Sequence, residues 1–454
     1  MKKFLFDEFE SVSAKQWKQR IQYDLKGADY NENLVWKSPE NIHVKPFYHR
    51  DDFQNPINPV PGHPESWKIA QSVFVDEEHI ANKIARNALN KGAESIVFKV
   101  EKEFDSNVLL SGIPFENTLL IFDFQFYSKE FVQRLTTNLI ENNADFLFLI
   151  DPVGQLVRTG NWFQNQKEDF QNLEALHKSQ TDFVTVKLGT IQNAGANIVQ
   201  QLAYGLAHAN EYLNWFAPNN KALKITFEVS TGSNYFFEIA KIRALRKLFA
   251  VLADAYQFPV TCRVLATPTL RNKTIYDYNV NMLRTTSESM SAILGGADVV
   301  VNLAYDAVFH KSNEFGERIS RNQLLILKEE SYFDTVMNPV DGTYYIEQIT
   351  DELAEKALKI FKEIEKGGGY IAQLHKGNIQ KKIKESANEE QARFDSGKLK
   401  LVGTNYQINP QDRMKDTLEL FPFVKKNPVK TLVEPVIPKR LSEALEQKRL
   451  NEEK

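Results

Sequence analysis

Leu223-Lys-Ile-Thr-Phe-Glu-Val229, Tyr235-Phe-Phe-Glu-Ile-Ala-Lys-Ile-Arg-Ala-Leu-Arg246 and Val260-Thr-Cys-Arg-Val-Leu-Ala266 follow one another in the chain and read as a single unit. The first and third are short, apolar and rich in β-formers. The middle one, which runs on to Tyr256, repeats its apolar residues at helical spacing. Two strands joined by a helix-length crossover are parallel neighbours. Working outward, β-rich runs recur at Ile69–Val75, Ser95–Val100, Thr118–Phe124, Asp145–Ile150 and Asp182–Lys187, and Ala297–Leu303 comes last, which makes eight. Between them lie helical patterns at Glu77–Asn90, Lys129–Glu141, Ala194–Trp215 and Thr274–Leu294. In Ala194–Trp215 the residues Ile198, Leu202, Leu206, Ala209 and Leu213 form one apolar stripe. Repeated β-then-α units of this length predict an α/β fold, a (β/α)8 TIM-type barrel. A doubly wound open sheet satisfies the same local pattern, because strand order is not written in one sequence.

The barrel is read over residues 67–350, behind an N-terminal arm at 1–66 and ahead of C-terminal helices and a wrapping tail at 351–454. In the arm, Ser13 to Lys26 predicts a helix: Ser13 can cap it, Trp17, Ile21 and Leu25 recur on one face, and Gly27 stops it. Pro39 to Pro64 has no sustained period and reads as an irregular segment laid over another surface. After the barrel, Thr350 is a candidate cap for a helix whose buried face is Leu353, Ala357, Phe361 and Ile364 and which ends at Gly367. Asn378–Lys398 is a charged, solvated helix. Prolines 410, 422, 428, 435 and 438 forbid regular structure across the tail, and Leu441–Leu450 reads as a short amphipathic helix.

A net charge of −3 gives no electrostatic footprint for nucleic acid. The acids after Met1-Lys-Lys-Phe-Leu-Phe leave no signal-peptide core, and no apolar run reaches the length of a membrane span, so a cytoplasmic chain is expected. The single cysteine, Cys262, excludes an intrachain disulfide and reads as a buried structural thiol.

In barrels, functional groups sit at the carboxyl ends of strands and in the loops after them. Those places hold Asp123, Asp151, Thr190, Gln192, Ser230, Asn234, Arg263, Thr267 and Asn302. Asp123 and Asp151, on consecutive strands, have the chemistry of an acid/base pair. The structural reading is stronger: Asp151 precedes Pro152 in a turn, and Asp123 is expected to bond barrel backbone. The eight histidines show no metal-ligand spacing and are expected mostly on surfaces and loops, so no metal site is read. Gly367–Gly369 follows a helix and reads as a stop, not a phosphate cradle.

Further words stand between Arg284 and Tyr406: Leu294-Gly-Gly-Ala297, Glu317-Arg-Ile-Ser-Arg-Asn322, Asn338-Pro-Val-Asp-Gly-Thr-Tyr-Tyr-Ile-Glu347, Glu365-Lys-Gly-Gly-Gly369, Ala392-Arg-Phe-Asp-Ser-Gly397 and Val402-Gly-Thr-Asn405. Earlier anchors are Gln192-Asn-Ala-Gly195 and Asn234-Tyr-Phe-Phe-Glu-Ile-Ala-Lys-Ile-Arg-Ala-Leu-Arg246. In order and spacing these resemble the substrate-binding barrel of cobalamin-dependent acyl-CoA mutases, above all methylmalonyl-CoA mutase, over roughly Trp67 to Tyr406. The resemblance implies interconversion of a branched and a linear acyl-CoA, with adenosylcobalamin supplying the radical and the CoA chain threaded through the barrel.

The pocket words of that family are not retained. Pro61-Gly-His-Pro-Glu-Ser-Trp-Lys-Ile-Ala-Gln71 stands where the family has its substrate tyrosine and CoA-binding arginine. Thr190 stands where it has an active-site histidine, and threonine has no group that changes charge near neutral pH. Leu265-Ala-Thr-Pro-Thr-Leu270 replaces a His-Ser-Gln-Thr-Ser-Gly segment, with Arg263 retained before it, and Val301-Asn-Leu303 replaces His-Thr-Asn. No Asp-x-His-x-x-Gly cobalt-ligand motif is present, and no cobalamin-binding domain is expected. The pattern is that of the small (beta) subunit of a heterodimeric mutase. The resemblance therefore implies no catalytic residue in this chain and a vestigial pocket at Thr190, Gln192, Asn234, Arg263 and Asn302. The adenosylcobalamin and acyl-CoA are expected on a large catalytic partner. The alternative is a catalytic barrel working with a separate cobalamin-binding chain.

Overall fold

Strands that are apolar on both faces must be covered on both, and a barrel wrapped in helices does this without leaving an edge. In the computed structural model, which describes residues 8–53, 56–177, 183–219, 221–425 and 429–453, eight parallel strands form one sheet. They are β1 Lys68–Val75, β2 Ser95–Val100, β3 Leu119–Phe124, β4 Asp145–Leu149, β5 Val184–Lys187, β6 Leu223–Thr231, β7 Val260–Pro268 and β8 Val299–Val301. The neighbour order is β4-β3-β2-β1-β8-β7-β6-β5. The remaining gap is bridged where Thr185 N donates to Ile150 O at 3.1 Å and Ile150 pairs with Val184 in parallel. The sheet is a barrel, and the open-sheet reading falls away. Asp182, expected to begin the fifth strand, lies outside the described residues, as does Pro428 of the tail.

The main core lies between strands and helices, and a second apolar cluster fills the bore: Ala70, Val97, Leu119, Ile121, Leu147, Leu149, Leu265, Val299 and Val301. Helix Ile198–Phe216 is buried on nearly every face, because strand, neighbouring helix and C-terminal helix all press on it. No helix among the described residues is long and apolar enough to cross a membrane.

Helix Tyr235–Asp254 carries two buried guanidinium groups one turn apart. Arg243 pairs with Asp341 and, at 2.5 Å, with Glu347; Arg246 bonds Gly296 O at 2.7 Å and Asp298 at 2.6 Å, and also Gly62 O. Gly296 sits at φ +93°, the left-handed cap of helix Val280–Gly295, and a Cβ there would come within 2.7 Å of His63.

Three expectations are corrected. The helix after the barrel spans Tyr344–Lys366, so Thr350 lies inside it and its hydroxyl donates to Ile346 O at 2.7 Å. The early start is fixed by packing: Tyr344 and Tyr345 meet Phe53, Tyr48 and Phe236, and Glu347 reaches Arg243. The segment break drawn at 350 therefore falls within a helix. The last helix, Glu443–Glu452, is not amphipathic in the expected sense, since its buried residues are Glu443 and Glu446. Glu446 accepts from Ile275 N at 3.0 Å and pairs with the buried Arg440 at 2.6 Å. The arm helix forms at Ala14–Asp24 with Ser13 and Gln16 as a capping box, yet no residue on it is buried, and Trp17 meets Phe47 edge-on.

Removing one member of a buried ion pair leaves the other charge uncompensated. Arg243→Met is expected to destabilise the chain by about 3–5 kcal/mol in urea unfolding. A loss within about 0.5 kcal/mol, typical of surface sites, would show that the pair is idle.

Candidate functional site

The carboxyl ends of the strands form the mouth of the barrel, and two polar systems are built there. The first is centred on Asp151. It follows β4 and caps helix Pro152–Thr159, with Pro152 at the first helical position, where its fixed φ suits the helix. One carboxylate oxygen accepts from Gly154 N at 2.7 Å, Tyr212 OH at 2.6 Å and His208 Nε2 at 2.9 Å; the other accepts from Lys187 N at 2.8 Å. Burial pushes the Asp151 carboxyl up, but the imidazole of His208 and the hydrogen bonds from His208, Tyr212 and Lys187 N outweigh it and hold the group below the usual range. Asp151 is thus a fully satisfied structural carboxylate. His208, almost wholly buried and stacked on Tyr370, departs from the expectation of surface histidines. Its signal in the sequence is a lone imidazole two residues after Leu206, inside the run Leu202–Ala209 of a strongly apolar helix.

The second system is a layer of charge inside the upper bore. Lys99 pairs in register with Asp123, and Lys187 with Glu228, and below them the bore is closed by the apolar cluster already described. Asp123 does not bond barrel backbone as expected. It accepts from Lys187 Nζ at 2.5 Å and from Gln125 Nε2 at 3.0 Å. Asp123 and Asp151 are therefore bridged by one residue, Lys187, and do not form an acid/base pair. Burial raises the Glu228 carboxyl to about 7, with Lys187 and Lys99 pulling it down and Asp123 and Asp151 pushing it up. Gly189 packs against it so closely that a Cβ would stand 2.7 Å from Glu228 Oε1. Glu228 was not singled out from the sequence, although a charge at an inward position of Leu223-Lys-Ile-Thr-Phe-Glu-Val229 marks it.

The residues expected in a pocket do not converge as a set. Gln192 is buried and accepts from the Thr269 hydroxyl at 2.8 Å, joining the loops after β5 and β7. Thr190 is half-buried in helix Gly189–Asn193, on the same loop. Asn234 precedes helix Tyr235–Asp254 without a side-chain capping bond. Arg263 pairs in register with Thr226 low on β7, and at ~3.3 Å per residue it lies roughly 20 Å along the chain from Thr269. Asn302 is spent on Ser320 O at 2.9 Å and Gln323 Oε1 at 3.0 Å, where it holds helix Glu314–Leu325. Among the described residues no cluster of histidine, cysteine or carboxylate could hold a metal ion. Burial pushes the Cys262 thiol up to about 11, which makes it inert near neutral pH.

The tail is laid along the mouth-side loops. Val433 N donates to Gly160 O at 3.1 Å and Val436 N to Val157 O at 2.8 Å, both beyond β4. Lys439 N donates to Asn193 O at 3.0 Å, beyond β5, and Leu441 N to Arg271 O at 2.9 Å, beyond β7. Arg440, buried, donates to Lys273 O at 2.9 Å and Pro422 O at 3.1 Å.

Residues 166–448 match the family model described as Methylmalonyl-CoA mutase. The chain is 32% identical to the methylmalonyl-CoA mutase small subunit of Porphyromonas gingivalis, over 92% of this chain and 73% of that one. The chain belongs to the methylmalonyl-CoA mutase family. It is also 27% identical to the human mitochondrial methylmalonyl-CoA mutase and 26% identical to that of Cereibacter sphaeroides, covering 88% and 87% of this chain. It spans 61% and 64% of the length of those two relatives. The mutase-family words in the sequence now have physical content. Arg321 of Glu317-Arg-Ile-Ser-Arg-Asn322 donates to Gln71 Oε1 and Lys91 O, and Glu317 accepts from Gln71. Asp341 and Glu347 of the Asn338–Glu347 word hold Arg243. Asn405 of Val402-Gly-Thr-Asn405 donates to Phe394 O at 2.9 Å, inside the Ala392–Gly397 word.

Because the folded state binds the Glu228 proton more tightly than the unfolded chain does, stability falls as pH rises from about 4.5 toward about 7. Glu228→Gln is expected to flatten that fall and to raise the unfolding midpoint at pH 8 relative to the parent, with little change at pH 4.5. A parallel pH slope in parent and variant urea titrations would refute the assignment.

Proposed function

We propose that this chain is the small, non-catalytic subunit of a heterodimeric, adenosylcobalamin-dependent methylmalonyl-CoA mutase. A large partner subunit binds the cofactor and carries out the interconversion of methylmalonyl-CoA and succinyl-CoA. The observation that carries this reading is the closed bore. An enzyme that threads a CoA chain through its barrel needs an open axis, and here Val97, Ile121, Leu147, Leu265 and Val299 meet across it, all almost fully buried. The residues at the expected pocket positions serve packing instead: Gln192 joins two loops and Asn302 pins a helix. The mouth does not fit a corrinoid, since the tail hydrogen-bonds along the loops after β4, β5 and β7 and no metal-ligand cluster stands beside it among the described residues. No step of the reaction is routed through this chain.

What the chain offers a partner is surface. Around the mouth, Phe74, Leu270, Phe315, Phe421, Leu432 and Ile437 are each 40–63% exposed, a density of large apolar groups that monomers seldom leave to water. The arm helix adds Trp17 and Tyr23, 49% and 77% exposed, with no buried residue to seat it on its own chain. An isolated helix of this length is marginal in water, so contact with a second chain would stabilise it. We assign the N-terminal arm at 1–66 and the Pro-rich tail from Gln407 onward to partner contact, and the assembly to the cytoplasm.

Affinity capture of the chain from its source cell is expected to bring down a larger chain with an Asp-x-His-x-x-Gly motif, and mutase turnover should require both. The purified single chain, supplied with adenosylcobalamin and methylmalonyl-CoA, should show neither turnover nor a corrinoid absorbance that survives gel filtration. Turnover by the single chain would overturn the reading.

A further inference from the structure

Helix Tyr235–Asp254 and helix Tyr344–Lys366 lie side by side on the outside of the barrel and run in the same direction, joined by a ladder of ion pairs. The first rung is Arg243 with Glu347 at 2.5 Å. The second, four residues further along both helices, is Lys247 with Asp351 at 2.8 Å. A further step of four brings Val251 beside Glu355. That rung has no cation. Val251 is 63% exposed, and Asp254 stands one turn beyond it on the same helix. Asp254 and Glu355 are both exposed, and neither side chain makes an ion pair or a hydrogen bond among the described residues.

The unfinished rung lies in a groove of about 590 Å3 between the two helices and the arm around Pro56 and Pro61, a size typical of binding sites. Five carboxylates line it, from Asp52, Asp254, Glu347, Asp351 and Glu355, against the single ammonium of Lys247. Glu347 is 1% exposed. Its Oε1 accepts from Arg243 and from Gly342 N, but its Oε2 is buried with no hydrogen bond. The Lys247 ammonium stands 3.8 Å from that oxygen, too far for a hydrogen bond, because Asp351 holds it at 2.8 Å. A buried carboxylate oxygen left unsatisfied is costly. A second cation in the groove removes that cost, since one that shares Asp351 releases Lys247 toward Glu347.

The arrangement selects the kind of cation. Glu347, Asp351 and Glu355 are strung along more than two turns of helix, and no cluster of three closes on one point among the described residues, so the donor set does not suit a metal ion. A guanidinium is planar, presents several donors in a fixed fork and carries an apolar stem. The exposed Val251 suits the stem, and the two free carboxylates beside it suit the fork. One wall of the groove belongs to the arm, which has no buried residue on its own helix. We propose that this groove receives an arginine-bearing segment of the large partner subunit, whose guanidinium lies over Val251 and completes the third rung between Glu355 and Asp254. The inference rests on the reading of this chain as a mutase subunit and assigns that subunit one specific contact.

Asp254→Lys combined with Glu355→Lys places two cations where the arginine would sit, at exposed positions without partners in the fold. The thermal melt of the isolated double variant is expected to match the parent. Titrated with the purified larger chain, the double variant should bind about tenfold or more weakly, and the parent's affinity should fall with added salt. In the parent complex, a photo-crosslinker at Val251 is expected to capture a peptide of the larger chain that contains an arginine. Reversing that arginine to glutamate should restore binding to the double-lysine variant. Unchanged affinity of the double variant, or a crosslinker that captures no arginine-bearing peptide, overturns this inference and leaves the subunit reading standing. Failure to find any larger chain that binds the parent overturns the subunit reading, and this inference with it.

Discussion

Arg243 and Arg246 are the hinge pins of this molecule. They are buried one helical turn apart on helix Tyr235–Asp254, and between them they reach Asp341, Glu347, Gly296 O, Asp298 and Gly62 O. One pair of guanidinium groups thus fixes the entry into the barrel, the turn before its last strand and the start of the first helix beyond it. Guanidinium suits this task because its rigid fork presents several donors in one plane and stays charged when buried. Such groups contribute less to net stability than to uniqueness: the desolvation penalty offsets much of the attraction, while any other arrangement strands a charge. The placement of arm, barrel and C-terminal helices relative to one another follows from that constraint.

The fold was legible because its signal is repetitive. All eight runs read as strands became strands, with their described ends within two residues of the expected ones, since most are followed by a long segment of independent helical period. What the sequence hid was tertiary. Thr350 reads as a cap because a threonine before two acids has that local chemistry, yet aromatic contacts of Tyr344 and Tyr345 extend the helix past it. Leu441–Leu450 reads as an amphipathic helix because nothing in its own sequence announces that Glu443 and Glu446 are buried, with the Ile275 amide, 171 residues away, as a partner of Glu446. Asp151 was placed correctly as a structural carboxylate, but its partners His208 and Tyr212 lie more than fifty residues on and could not be matched to it.

The contrast between the two halves of the bore bears on what kind of relative this is. Part of the bore has the close-packed apolar filling of an ordinary core, and its upper end keeps a layer of charge. Large side chains along a barrel axis add to stability directly, by about 25 cal/mol for each Å² of apolar surface they bury. An open substrate channel forgoes that contribution. The family words that the chain carries are the ion pairs and turns that hold the shell of this filled barrel together.

The tail that runs along the mouth has a consequence for how the chain reaches its native state. Val433 and Val436 bond to residues of the helix after β4, and Arg440 bonds to Lys273 O across 167 positions of sequence. Contacts of such separation close the largest loops and form late. The shell can assemble by local β-α-β pairing as it leaves the ribosome, but the loops after β4, β5 and β7 acquire their last backbone partners only when residues beyond 431 arrive. Until then the rim of the barrel carries unsatisfied amide and carbonyl groups beside exposed aromatic rings, an adhesive surface for the length of the wait. For this chain, the order of synthesis sets the interval in which a chaperone or a nascent neighbour can engage it.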